Sequence, residues 1–263
     1  MTHHDTTPSP HSDLANRPIA VVTGGSAGLG RALVAALAAD GWQVITDGRD
    51  ADRLRAAADA IRAGLPGARI TALPGDVTDS EHRAALRAAV EDHGRLDLLV
   101  NNASVLGPAS GEHRYRRLDQ VTPADLQHVW RHNVGAPLVL TSLLLGHLVA
   151  GHGTLLSLSS DAAVEHYPGW GLYSASKAGL DHLTATFAAE NPEITAYAVD
   201  PGDMRTALHQ QWFPDQDISD RPLPEAVVPH LIGLLASRPP SGRYRATDLP
   251  TATTTRRPSA QEA

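Results

Sequence analysis

Short apolar runs alternate with longer amphipathic stretches along most of the chain. The runs at residues 19–23, 43–46, 69–73, 96–100, 154–158 and 195–199 are brief, rich in Val, Ile and Leu, and mostly bounded by Gly, Pro, Asn or Asp. That is the pattern of strands buried on both faces of a parallel sheet. Between them, residues 31–40, 50–63, 79–92, 122–150, 173–190 and 224–236 carry helical spacing. Gly41 and the pair Asn191-Pro192 supply stops, and Thr122-Pro123-Ala124-Asp125 supplies a capped start with proline in the first turn. Residues 243–246 read as a short last strand. Strand–helix alternation without an internal repeat or linker predicts one α/β domain, a doubly wound parallel sheet with helices on both faces. The domain is expected over 18–250, with a loop-rich lid at 203–223, a flexible arm at 1–17 and a disordered tail at 251–263.

Composition narrows the function classes. The 263 residues are 42% hydrophobic and 19% charged, and a formal net charge of −7 with no basic block argues against a nucleic-acid partner. The chain has no cysteine, which excludes disulfides, a thiol nucleophile and Cys-based metal sites. The longest apolar run, 134–150, carries Pro137 and His147 and is short for a membrane span, so it is expected as a buried helix. Residues 1–17 lack the apolar core of a signal peptide. A cytoplasmic protein without a membrane partner is expected.

The chemistry gathers where strands end. After the first strand comes Thr23-Gly24-Gly25-Ser26-Ala27-Gly28-Leu29-Gly30, and then a helix. Strand, glycine turn and helix aim backbone N–H groups and a helix N-terminus at a phosphate. Asp76, Asn101, Ser160 and Pro201-Gly202 fall at the ends of later strands, so all face the same crevice. Thirteen residues beyond Ser160 lies Tyr173, and four beyond that Lys177, one helical turn away. A phenol ordinarily titrates near 10, and bringing it to about 7 takes roughly 4 kcal/mol. An ammonium about 4 Å away supplies energy of that order at an effective dielectric near 20. The pair can therefore make a tyrosine that exchanges a proton at working pH, while taken alone it reads as a partly buried Tyr and a solvated Lys on an ordinary helix; the rest of the motif set decides between them.

Together these motifs resemble the short-chain dehydrogenase/reductase family over roughly residues 17–247, with a Rossmann-like fold. They are Thr23-Gly24-x-x-x-Gly28-x-Gly30, Asp76, Asn101-Asn102-Ala103, Ser160 with Tyr173-x-x-x-Lys177, and Pro201-Gly202-x-x-x-Thr206. The resemblance implies an oxidoreductase that interconverts a carbonyl and an alcohol by hydride transfer with a nicotinamide dinucleotide. It makes Tyr173 the general acid/base and Lys177 the residue that lowers its pKa and holds the nicotinamide ribose. Ser160, rather than Ser159, polarises the carbonyl, and Asn133 holds a water against the lysine. Gly24, Ser26, Ala27, Gly28, Leu29 and Gly30 would form the phosphate turn. Asp76 and Val77 would contact the adenine. Asn102 and Ala103 would line the cofactor, Asn101 would steady the sheet beside it, and Pro201, Gly202, Met204 and Thr206 would contact the nicotinamide end.

Cofactor choice turns on Thr46-Asp47-Gly48-Arg49. An acidic residue at the end of strand two pairs with both ribose hydroxyls and repels a 2′-phosphate, whereas a guanidinium suits one. With Gly48 at that place, Arg49 favours NADP(H). A register shifted by one residue would put Asp47 there and favour NAD(H). Trp170, Trp212 and Phe213 are expected near the substrate, either as an apolar wall or as packing between helices. His128 and His132 share helical spacing without a metal motif, and no metal is expected. Arg114, Arg116 and Arg117 read as a solvated loop. Family members of this kind are commonly homodimers or homotetramers. Ser104 in place of a usual Gly, a shortened run to strand six and an altered last strand put the tetramer in question. Two other readings are a silent nucleotide-binding sensor or scaffold, and an epimerase or dehydratase that retains its cofactor.

Overall fold

The computed structural model describes residues 17–107 and 117–252. The expected arm, apart from Arg17, the expected tail beyond residue 252, and Arg114 and Arg116 lie outside the described residues. Seven parallel strands form one sheet in the order β3-β2-β1-β4-β5-β6-β7. They are β1 (Ile19–Val22), β2 (Gln43–Gly48), β3 (Arg69–Pro74), β4 (Leu98–Asn101), β5 (Thr154–Leu158), β6 (Thr195–Asp200) and β7 (Gly242–Arg245). The order reverses between β1 and β4, so the chain crosses over there and leaves a crevice at the strand ends.

Alternation of side chains sorts the core. Ala20 and Val22 of β1 face one layer, made with α1 (Gly28–Ala39), α2 (Ala51–Gly64) and α8 (Pro224–Ser237). Ile19 and Val21 face the other, made with α3 (Ser80–Glu91), α5 (Ala136–Ala150) and part of α6 (Gly171–Glu190). Period-two strands carry one residue to each face, so both layers need apolar residues and the strands read as continuous runs. Asp50 caps α2 through the N–H groups of Asp52 and Arg53, and Thr122 caps α4 (Pro123–Trp130) through Asp125 N–H.

The long helix expected from residue 122 is continuous to Ala150 but contains a π turn at Arg131–Gly135, between α4 and α5. Pro137 has no N–H to return to the carbonyl of Asn133, four residues earlier, which is a local reason for the α ladder to break here. Pro123–Ala150 is long and apolar enough to cross a membrane by length and composition. Leu140, Leu144 and Leu148 are completely buried against the sheet, the placement of a core helix. Two further differences arise from short elements. The loop-rich segment contains a short helix, α7 (Ala207–Trp212), capped by Thr206, and the last strand begins at Gly242 rather than Arg243.

Candidate active site

A cleft of ≈ 370 Å³ runs along the carboxyl ends of the strands, from Arg49, Arg53 and Asp76 past the glycine turn to Ser160, Tyr173 and Lys177. Every site residue expected from sequence lines it except Gly30, Asn101 and Asn133. Asn101, expected to face the crevice, is instead buried and donates from Nδ2 to Thr141 Oγ1 at 3.1 Å. Gly30 and Asn133 lie behind the lining, each for a packing reason.

Gly30 is where α1 presses on the turn. A Cβ there would sit 2.4 Å from the Gly24 carbonyl oxygen and 2.5 Å from Asn102 Nδ2. Gly24 and Gly28 have φ of +73° and +55°, a region that favours glycine. The turn is tied to the neighbouring strand: Asn102 Nδ2 donates to the Thr23 carbonyl at 2.7 Å, and Thr23 Oγ1 accepts from the N–H groups of Asn102 and Ala103. No side chain caps the start of α1, in contrast to α2 and α4. Its first N–H groups therefore remain available to an anion at the mouth of the turn.

The Asp47–Arg49 register resolves cleanly. Asp47 is 2% exposed and turns inward; its Oδ1 accepts from Gly24 N–H at 2.6 Å and its Oδ2 lies 3.1 Å from His82 Nε2. It lines the cleft with both carboxylate oxygens already engaged, one on the turn's Gly24 N–H and one on His82. Gly48 ends the strand, and Arg49 is exposed in the cleft wall with Arg53 four residues on. The sequence reading missed Arg53, although its i, i+4 spacing from Arg49 at a helix start was there to be seen. Asp76 accepts from Thr78 N–H at 2.8 Å. Burial works to raise its pKa, but the Thr78 hydrogen bonds and the electrostatic pull of His132 and Arg49 outweigh it and hold it below the ordinary carboxylate value. His132 lies 3.8 Å from Asp76, its Nδ1 against the His128 carbonyl.

At the other end, Tyr173 and Lys177 are 7% and 3% exposed. Lys177 Nζ donates to the Leu158 carbonyl at 2.7 Å and sits 5.6 Å from the centre of the Tyr173 ring. The lysine does not bring the phenol toward neutrality: the Tyr173 pKa is raised rather than lowered. Burial pushes Tyr173 above its ordinary value; Ser160 opposes this by hydrogen bonding, and Asp161, Asp200 and Asp181 add to it. Burial also lowers Lys177 to about 8, with Asp181 opposing. Charging a desolvated phenol among carboxylates costs more than one nearby ammonium returns.

Ser160 and Ser159 diverge, as alternate residues at a strand end must. Ser160 is Tyr173's hydrogen-bonding partner, whereas Ser159 is buried and bonds toward Asp181. Asn133 uses its whole side chain on neighbours. Its Nδ2 donates to the Val105 carbonyl at 2.8 Å and to Ser176 Oγ at 3.0 Å, and its Oδ1 accepts from Ser104 Oγ and Val105 N–H. Ser104, in place of a glycine, thus supplies a hydroxyl that glycine lacks. Trp170 and Trp212 stack at 3.9 Å, and Tyr173 packs edge-on to both at 6.0 Å. The aromatic residues are therefore both a wall and a packing cluster, with α7 carrying Trp212 into place.

Residues 18–217 match the family model described as short chain dehydrogenase. A sepiapterin reductase of Bos taurus is 31% identical over 74% of this chain and 75% of its own length. An uncharacterised oxidoreductase of Escherichia coli, YciK, is 30% identical over 86% of this chain and 89% of its own length. Among solved structures, a short chain dehydrogenase of Shigella flexneri complexed with NADP superposes with a TM-score of 0.80 at 29% identity, covering 89% of this chain and 99% of that one.

Proposed function

This chain belongs to the short-chain dehydrogenase family of oxidoreductases, and from that premise we propose that it uses NADP(H) to interconvert a carbonyl and an alcohol. The observation that carries the reading is convergence: Ser160, Tyr173 and Lys177 share one cleft with the glycine turn and the uncapped start of α1. The cradle suits a dinucleotide because a Cβ at Gly24, at Gly30 or at Gly48 would crowd the turn it forms. The inward Asp47 and the outward Arg49 and Arg53 favour a 2′-phosphate. NADP and NADPH in similar short chain dehydrogenases, from Shigella flexneri and Escherichia coli, agree with this.

The bound dinucleotide would supply the hydride. Tyr173, kept as the neutral phenol by burial, would give its proton to the substrate oxygen, so the site is set for reduction at neutral pH. Ser160 would orient that oxygen. Lys177, beside the phenol, would offset the charge left on it and hold the ribose. Asn133 would act through position: its amide fixes the loop after β4 to α6, and any water it holds would be held by its main-chain carbonyl. Exposed apolar residues on α4 and α5, including Trp130 and Val139, support self-association as a homodimer or homotetramer.

The test follows nicotinamide absorbance with NADPH or NADH and a panel of ketones, aldehydes and quinones that includes sepiapterin. NADPH consumption by wild type, reduced about 10²–10⁴-fold in Tyr173→Phe with cofactor binding intact, is expected. Turnover unchanged in Tyr173→Phe would refute the assignment. Tight NADPH binding without turnover across the panel would favour a sensor, and product formation without net NADPH change an epimerase.

A further inference from the structure

The two carboxylate oxygens of Asp47 are committed in different directions. Oδ1 accepts from Gly24 N–H at 2.6 Å, and Oδ2 lies 3.1 Å from His82 Nε2. An ionised carboxylate only accepts, so Nε2 carries the hydrogen of the second bond. The main-chain carbonyl of Asp47 takes the next N–H of the turn, that of Gly25, at 2.9 Å. That tie is open to any residue at position 47, whereas the tie to Gly24 needs a side-chain acceptor.

His82 is seated to make its bond. It lies in the first turn of α3 and is 8% exposed. Its ring rests on Gly75, just after β3, where a Cβ would come 2.1 Å from Nδ1 and 2.5 Å from Cγ. Gly75 N–H in turn donates to the Gly48 carbonyl at 3.0 Å. The turn after β1, the end of β2, the residue after β3 and the start of α3 thus meet in one buried contact. The chemistry proposed above gives His82 no part.

Without the ring, one oxygen of a carboxylate that is 2% exposed would lose its partner, and a buried charge short of partners turns toward water. For Asp47 that water is in the cleft, on the side of Arg49 and Arg53, and the Gly24 amide would be released as the carboxylate turned.

We propose that His82 is a positioning residue for the dinucleotide: by holding Asp47 Oδ2 it keeps Oδ1 on Gly24, and so keeps the phosphate turn in the shape that receives the cofactor. The ligand rests on the NADP(H) reading of the turn; the contact does not.

Gly24 reports on the contact directly, because Thr23-Gly24 is the one Thr-Gly step in the sequence. Protein isotope-labelled at the threonine carbonyl carbon and the glycine nitrogen therefore gives a single Gly24 amide cross-peak in a carbonyl-filtered NMR spectrum. Its position and its exchange with deuterium are recorded without cofactor, and NADPH dissociation constants are taken from fluorescence titrations. His82→Ala is expected to move the cross-peak, to speed its exchange about tenfold and to weaken NADPH binding by about the same factor. His82→Gln, whose amide can donate where Nε2 does, should restore both. His82→Phe, which keeps a flat ring over Gly75 and has no hydrogen to give, should not. A packing role predicts the reverse order, Phe close to wild type and Gln impaired, and that result would overturn the proposal. So would a Gly24 cross-peak unmoved in His82→Ala, or one that moves while NADPH affinity stays. Wild-type protein that binds neither NADPH nor NADH would refute the dinucleotide reading instead, and the Gly24 cross-peak would still decide whether His82 holds the turn.

Discussion

At the scale of single residues, the site is governed by burial acting on Tyr173 and Lys177. The lysine offers the clearest sign. Its folded pKa, lowered to about 8, lies below the ordinary 10.5, so between those values the unfolded chain binds more protons than the folded one. Stability therefore rises with pH across that window, and the penalty is fully present below about 8. Lys177→Met, which keeps the stem and removes the charge, is expected to raise the Tm of the cofactor-free protein at pH 7. The upper bound is about 3–4 kcal/mol at roughly 1.4 per pKa unit, less the bond to the Leu158 carbonyl. The gain should fade between pH 8 and 10.5 in thermal melts. A gain constant across that range would mean that packing rather than charge is responsible. Tyr173 and Lys177 were visible in the sequence because their spacing is a helical turn; the sign of their pKa shifts was not, because desolvation depends also on residues distant in sequence, such as Trp212.

At the scale of elements, the β1–α1 turn is the most constrained joint. Gly30 tests it, since the Gly24 carbonyl and the Asn102 amide that its Cβ would strike are held by other bonds and have little room to yield. Gly30→Ala is expected to cost about 1–3 kcal/mol, read as a lower denaturant midpoint, and to weaken NADPH binding in titration. Gly41→Ala tests the cost of positive φ alone, because nothing lies within 4 Å of a Cβ there. It should weaken stability without touching cofactor affinity. The π turn in the long helix shows the opposite legibility. Pro137 was visible, but the break it favours became evident only where Asn133 is drawn to Val105 and Ser176.

At the scale of the whole molecule, the crossover of the sheet between β1 and β4 gathers strand ends that are far apart in sequence into one cleft. The same architecture leaves Leu126, Trp130, Leu138 and Val139 between 38% and 48% exposed on the outer helices. Trp130→Glu is expected to shift the protein toward monomer in light scattering behind size exclusion, because a charge replaces an aromatic anchor. A mass identical to wild type would show that this face is not the contact.

The sequence alone determined the strand and helix alternation, the parallel sheet, the glycine turn and the Ser160–Tyr173–Lys177 set, because each rests on local spacing or on residue types with few alternative uses. It also carried the Asp47–Arg49 question without its answer. Only the tertiary structure turned Asp47 inward to Gly24 and His82, brought Arg53 beside Arg49 and enclosed Asn133 in four hydrogen bonds. Each of these depends on which side chain another element brings within hydrogen-bonding distance and on how much water is excluded there. Neither is a property of any short stretch of chain.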